Sequence, residues 1–144
     1  MTPVPDALIG VWDMLGEEDV DDNGTPVHAS VQRSGRLIYT TSGLVSVVST
    51  PAVRPRLEGV SPRPVIVGAS DADLRDAVTG CAAYSGRYRV DGDVVTHIVE
   101  VALNPNAIGV ELTRRFAIHG ERMTFLAAPI AGGSALRIRW RRLG

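Results

Sequence analysis

The chain has 144 residues, 44% of them hydrophobic, and a net charge of −1. That size carries one core without disulfides or metals, and the near-neutral charge argues against nucleic acid or an anionic membrane as a partner. Every basic residue is arginine, which excludes lysine Schiff-base chemistry, and the lone Cys81 excludes an internal disulfide.

Leu8 to Leu15 predicts a first strand. Gly16 to Gly24 is acidic and turn-like, and reads as a solvated hairpin loop, because it lacks the ligand spacing and closing glutamate of a calcium loop. Val27 to Gln32 predicts a short strand. Arg36 to Thr41 and Leu44 to Thr50 form a hairpin around Ser42-Gly43, with Tyr39 opposite Ser46 and no clear inward face. Pro51 to Gly68 holds four prolines and no periodicity, which marks a loop suited to closing over a pocket mouth. Ser70 is a helix cap with Asp71 and Asp73 in the first turn. Leu74, Val78, Cys81 and Ala82 share one face of that short helix, which ends near Ala83, with Cys81 read as a small hydrophobe rather than a nucleophile.

Tyr84 to Phe116 carries the chemistry. Asp91-Gly92 and Asn104 to Ala107 are chain reversals. Symmetric hairpins about them place Tyr84, Gly86 and Tyr88 opposite Val99, His97 and Val95. Val95, His97, Val99 and Val101 then face Phe116, Arg114, Leu112 and Val110. Strand side chains alternate, so all of these share one face, apolar apart from two tyrosines, a histidine and an arginine. Ser85, Arg87, Arg89, Thr96, Ile98, Glu100, Glu111, Thr113 and Arg115 fall outside. Glu100 opposite Glu111 would be an internal carboxylate pair if the faces were reversed. A turn at His119-Gly120 sets Phe116 opposite Met123 and Arg114 opposite Phe125. Leu126 to Gly133 turns the chain into a last strand, Ala135 to Arg142, with Leu136, Ile138 and Trp140 on one face. Arg137, Arg139 and Arg141 form an outer row balanced by acids.

Eight or nine antiparallel strands with neighbour connections solve their edge problem by closing. The expected fold is an all-β, closed or nearly closed barrel with one short helix, a single domain over 1–144. About eight strands leave room for side chains or one small ligand.

Leu8-Ile9-Gly10-Val11-Trp12 resembles a lipocalin G-x-W strand. Gly35 to Thr40 with Gly43, Tyr84-Ser85-Gly86-Arg87-Tyr88, Asp91-Gly92-Asp93, Thr96-His97, Asn104-Pro105-Asn106, Gly109 and Arg114 resemble the bacterial lipocalin-like domain family over nearly the whole chain. The resemblance implies a small barrel with an internal cavity. Barrels of this general shape carry apolar ligands, and some related shapes are cofactor-free isomerases and cyclases of secondary metabolism. Ala107 and Leu112 depart from the family, where a tryptophan and a polar residue are expected, and they would enlarge and dry the pocket.

The expected function is binding of one small, largely apolar molecule bearing a carbonyl or carboxylate, with a lean towards a cofactor-independent isomerase or cyclase. His97, facing Arg114, would be held neutral as a general base. Arg114 would hold an enolate or carboxylate. Tyr39, Tyr84, Tyr88, Val99, Leu112, Phe116 and Phe125 would line the ligand. Two rivals are a non-catalytic carrier or sensor and a filled barrel, in which His97 is a core residue and Arg114 stacks on Trp12. No metal or cofactor is expected: no phosphate loop or nucleophile-elbow motif occurs, and His28, His97 and His119 are scattered. A cytoplasmic location is expected, because no basic-apolar leader or ~20-residue apolar run occurs. The arginine-rich last strand is compatible with a homodimer.

Overall fold

The computed structural model describes residues 6–27, 32–127 and 135–144. Eight antiparallel strands close into a barrel in chain order, each paired with its neighbours and the last with the first. They are β1 (Gly10–Val20), β2 (Arg33–Tyr39), β3 (Leu44–Pro51), β4 (Ala82–Asp91), β5 (Val94–Ala102), β6 (Glu111–His119), β7 (Arg122–Ala127) and β8 (Ala135–Arg142). One helix, α1 (Asp71–Val78), follows the proline-rich loop, with Ser70 Oγ accepting from the Asp73 N–H as the predicted cap. No helix of the described residues is long and apolar enough to cross a membrane.

Several expectations about local geometry are corrected. β1 runs on to Val20, so the first half of the acidic stretch is strand. β8 supplies counter-charges along β1: Arg137 pairs with Glu18 at 2.6 Å and Arg141 with Asp13, before the acidic stretch, at 3.8 Å. Helix α1 buries none of its residues; Leu74 and Val78 are exposed, and Ala82 already belongs to β4. The expected strand at Val27 to Gln32 and the turn at Leu126 to Gly133 fall largely outside the described residues. His28 lies there too, while Leu126 and Ala127 are the end of β7.

Register is the main correction. Asp91 pairs with Val94, and His119 with Arg122, so the two-residue loops are Gly92-Asp93 and Gly120-Glu121. Each glycine sits at the first loop position with positive φ (60° and 62°), where both hairpin turn types demand it. Each pairing therefore slides by two residues, which preserves the faces and changes the partners. His97 faces Tyr88 and Leu112, not Gly86 and Arg114, and Arg114 faces Val95 and Ala127. In the β2–β3 hairpin the loop is Thr41-Ser42-Gly43 and Tyr39 faces Val45, a slip of one residue. Leu37, Tyr39, Val45, Val47 and Ser49 are consequently the inward set there.

A bulge between Ser85 and Gly86 completes the correction. Glu100 is the extra residue on β5, so Val101 turns outward and is 68% exposed instead of facing Val110. A Cβ on Gly86 would collide with the Ile98 carbonyl oxygen, which explains the glycine at this close approach. Glu100 and Glu111 are not opposite each other. They lie outside, paired with Arg87 (3.6 Å) and Arg89 (2.8 Å).

The hairpin loops at 41–43, 92–93 and 120–121 all lie at one end, and that end is packed shut. Leu8, Trp12, Tyr88, Val90, Met123 and Trp140 are buried there as part of the core, each such side chain contributing roughly 1.5–3 kcal/mol of transfer free energy. The arginine stacked on Trp12 is Arg142, 4.2 Å from the ring centroid, not Arg114. Trp12 Nε1 also donates to the Leu8 carbonyl at 3.0 Å.

Candidate functional site

The starts of β2, β4, β6 and β8 meet at the opposite end, and here the interior is less full. Along β6 exposure alternates without a break, yet the inward residues Leu112, Arg114, Phe116 and Ile118 are only half-buried. Tyr84 and Leu136, at the starts of β4 and β8, are half-buried too. By contrast Val95, His97 and Val99 on β5, and Met123 and Phe125 on β7, are at most 2% exposed. The inward residues of β6 are thus more exposed than those of β5 and β7.

Beside β6, where His97 pairs with Leu112, stands a polar chain. His97, 1% exposed, has both ring nitrogens occupied: Nε2 is 2.7 Å from Tyr39 Oη and Nδ1 is 2.7 Å from Tyr84 Oη. The β4–β5 bulge sets Tyr84 opposite Ala102 rather than beside Gly86's partner, and from there its ring reaches back to the imidazole. Burial first, and the Arg114 charge second, pull the His97 pKa from 6.5 down to about 3. Burial pushes Tyr84 up to about 12, and pushes Tyr39 well above 10 with help from the neighbouring Tyr84. The chain is thus neutral at pH 7, and no ring nitrogen is open to a substrate proton.

Arg114 is the charge of the site. Its Nη1 donates to the Thr113 carbonyl at 3.2 Å, and among the described residues no carboxylate pairs with it. Its charge nevertheless reaches the chain, opposing the upward shifts of Tyr39 and Tyr84. An inward guanidinium without a counter-ion is a site for a planar oxyanion.

The predicted site residues divide into two groups. Tyr84, Leu112, Arg114 and Phe116 are half-buried. Tyr39, Tyr88, Val99 and Phe125 are buried. Tyr88 Oη donates to the Thr40 carbonyl at 2.8 Å and its ring packs edge-on against Tyr39, so it fastens the closed end. Phe125 stands between His97 and Trp140, with ring centroids 6.2 and 5.9 Å away.

A second polar group at the open end escaped the sequence reading. Arg33 donates to Ser49 Oγ (3.0 Å) and to the Gly80 carbonyl (2.7 Å), and lies 3.6 Å from Glu17. It ties the segment after α1 to the barrel rim. The signal was present in Arg33's parity with Leu37, two turns of alternation away, but the assignment of Val27 to Gln32 as a separate strand hid it. A wider cleft of about 680 Å³ lies outside the barrel, between the proline-rich loop and α1, lined by Pro51, Val53, Leu57, Ile66, Asp76 and Ala77. None of the predicted site residues borders it. Among the described residues no group of His, Cys, Asp and Glu could hold a metal ion.

With that geometry in hand, the comparison with known families is decisive for identity. The model of the lipocalin-like domain matches residues 9–142. The chain belongs to the lipocalin-like domain family. No functionally curated protein is similar to it at a significant level. Two solved structures align over almost its full length. The fatty-acid-binding protein of Manduca sexta is 13% identical, with 93% of this chain and 98% of that one covered at a TM-score of 0.41. Rv2717c of M. tuberculosis is 14% identical, with 99% and 100% covered at a TM-score of 0.37. This lipocalin-like chain is too distant from both for either to bear on its ligand.

Proposed function

We propose that this lipocalin-like barrel binds one small, largely apolar molecule at its open end, with the molecule's oxygen-bearing head group against Arg114 and Tyr84. The observation that carries the reading is Arg114: an inward, half-buried guanidinium with no carboxylate partner among the described residues, beside apolar Leu112 and Phe116. A charge left without a partner in apolar surroundings is costly unless a ligand or water neutralises it.

Within this reading we favour cofactor-independent isomerisation or cyclisation of a carbonyl- or carboxylate-bearing metabolite. The bound shape would preorganise the substrate, and Arg114 with Tyr84 would stabilise an enolate oxygen. His97 acts in this scheme through the tyrosines and not as the base. A histidine with a pKa of about 3 takes up no proton at neutral pH. The same observation favours a second reading, a non-catalytic carrier or sensor, which needs the cavity and the arginine but no base.

Native mass spectrometry of the protein after exposure to extract of its host tests both. Wild type should retain a small molecule that Arg114→Ala releases. A retained molecule that co-elutes with a compound present in the extract before exposure favours the carrier, and an isomer of the same mass with a new retention time favours the enzyme. If nothing is retained by wild type, the ligand-binding reading fails.

A further inference from the structure

The Tyr39–His97–Tyr84 chain can be counted in protons. A neutral imidazole carries one N–H, and two phenols carry two O–H groups, so three protons serve the two hydrogen bonds at 2.7 Å. One proton is left over. It belongs to whichever tyrosine accepts from the ring N–H, because that oxygen's own hydrogen then points elsewhere.

Burial decides which tyrosine that is. Tyr39 is 1% exposed, and its hydroxyl has no second hydrogen-bond partner among the described residues. A leftover proton there would be a buried donor without an acceptor, an arrangement that folded proteins avoid. Tyr84, by contrast, is only half-buried at the start of β4. A leftover proton there meets water or a ligand.

We propose that His97 is held as the Nδ1–H tautomer, with Tyr39 donating to Nε2, so that Tyr84 turns its one uncommitted O–H into the cavity. There it and Arg114 select a head group that only accepts hydrogen bonds: a carboxylate or an enolate. The second half rests on the ligand-binding reading above; the tautomer does not. His97 and Tyr39 are positioning residues in this arrangement. The imidazole N–H fixes the Tyr84 oxygen and leaves its hydrogen a single direction to take, and Tyr39 fixes the tautomer. An ammonium head group has no acceptor to offer and is repelled by Arg114. A hydroxyl accepts from Tyr84 but leaves the guanidinium uncompensated.

The test has two parts. In ligand-free protein labelled with ¹⁵N-histidine, long-range ¹H–¹⁵N spectra should show Nδ1 protonated and Nε2 bare. Protonated Nε2 overturns the assignment, since it moves the spare proton to Tyr39. In fluorescence titrations, wild type should bind 2-naphthoate more tightly than 2-naphthylmethanol, and 2-naphthylmethylammonium least. Tyr84→Phe should weaken naphthoate roughly tenfold to a hundredfold, the range of a hydrogen bond to a charged group, and leave the alcohol within a few-fold. An unchanged naphthoate affinity in Tyr84→Phe, or equal affinity for all three probes, overturns the selection. If none of the three binds while the Nδ1–H tautomer is seen, the ligand-binding reading has failed and the proton assignment has survived it.

Discussion

Acid should destabilise this protein through one residue. Burial and the Arg114 charge pull the His97 pKa from the ordinary imidazole value of 6.5 down to about 3 in the folded barrel. Below pH 6.5 the unfolded chain takes up a proton that the folded chain refuses, so the unfolded state binds more protons and stability rises with pH. The contribution of neutral His97 is fully present above pH 6.5 and is lost as the pH falls towards 3. The fall from 6.5 to about 3 amounts to about 5 kcal/mol in total, since each tenfold change in proton affinity is worth about 1.36 kcal/mol. Between about pH 7 and pH 5 it amounts to about 2 kcal/mol. Against a typical domain stability of about 5–15 kcal/mol, that is a large fraction. Urea denaturation followed by tryptophan fluorescence at the two pH values measures it. Wild type should lose about 2 kcal/mol that His97→Gln, which has no proton to gain, does not lose. Equal losses in the two proteins, or an NMR titration of His97 with a midpoint near 6.5, would refute the reasoning; the NMR readout stands even if the variant folds poorly.

Three further outcomes are expected. Gly86→Ala should cost about 3 kcal/mol or more in urea denaturation, because the added carbon meets the Ile98 carbonyl and not a flexible side chain; a cost below about 1 kcal/mol would mean the bulge yields easily. Trp12→Phe should be about 1–2 kcal/mol more destabilising than Trp140→Phe. Trp12 loses its bond to Leu8 and part of its stacking with Arg142, whereas Trp140 Nε1 has no hydrogen-bond partner to lose among the described residues. Arg33→Met should speed amide exchange around Gly80 and Cys81 by roughly tenfold while global stability changes by less than about 2 kcal/mol, since it frees the segment after α1 without emptying the core.

The fold was legible because its signals are local. Alternation along β5 and β6, tight glycine turns and a meander with neighbour connections are properties of short stretches. The closed barrel with one helix followed from them. Register was not legible to the residue, because Asp91-Gly92 and Gly92-Asp93 are both acceptable loops and differ by a shift of two that keeps every side chain on its face. Up to the bulge, faces were therefore right while partners were wrong; Val101, beyond it, turned outward, and the His97–Arg114 juxtaposition dissolved into His97 opposite Leu112 and Arg114 opposite Val95. The contact that replaced it, His97 between Tyr39 and Tyr84, joins β2, β4 and β5 and depends on the bulge at Gly86. A lone glycine within Tyr84 to Tyr88 signalled that bulge without saying which strand would carry the extra residue. Arg142 over Trp12 was missed for a different reason: barrel closure brings the last strand against the first, and no local pattern reports that.

If a small ligand binds inside the barrel against β6, as proposed, chemical-shift mapping of the ¹⁵N-labelled protein with 2-naphthoate will locate it. Shifts concentrated at Tyr84, Leu112, Arg114 and Phe116, and abolished in Arg114→Ala, are the predicted result. Shifts confined to the outer cleft between Pro51 and Thr79 would contradict it, as they would place the ligand outside the barrel.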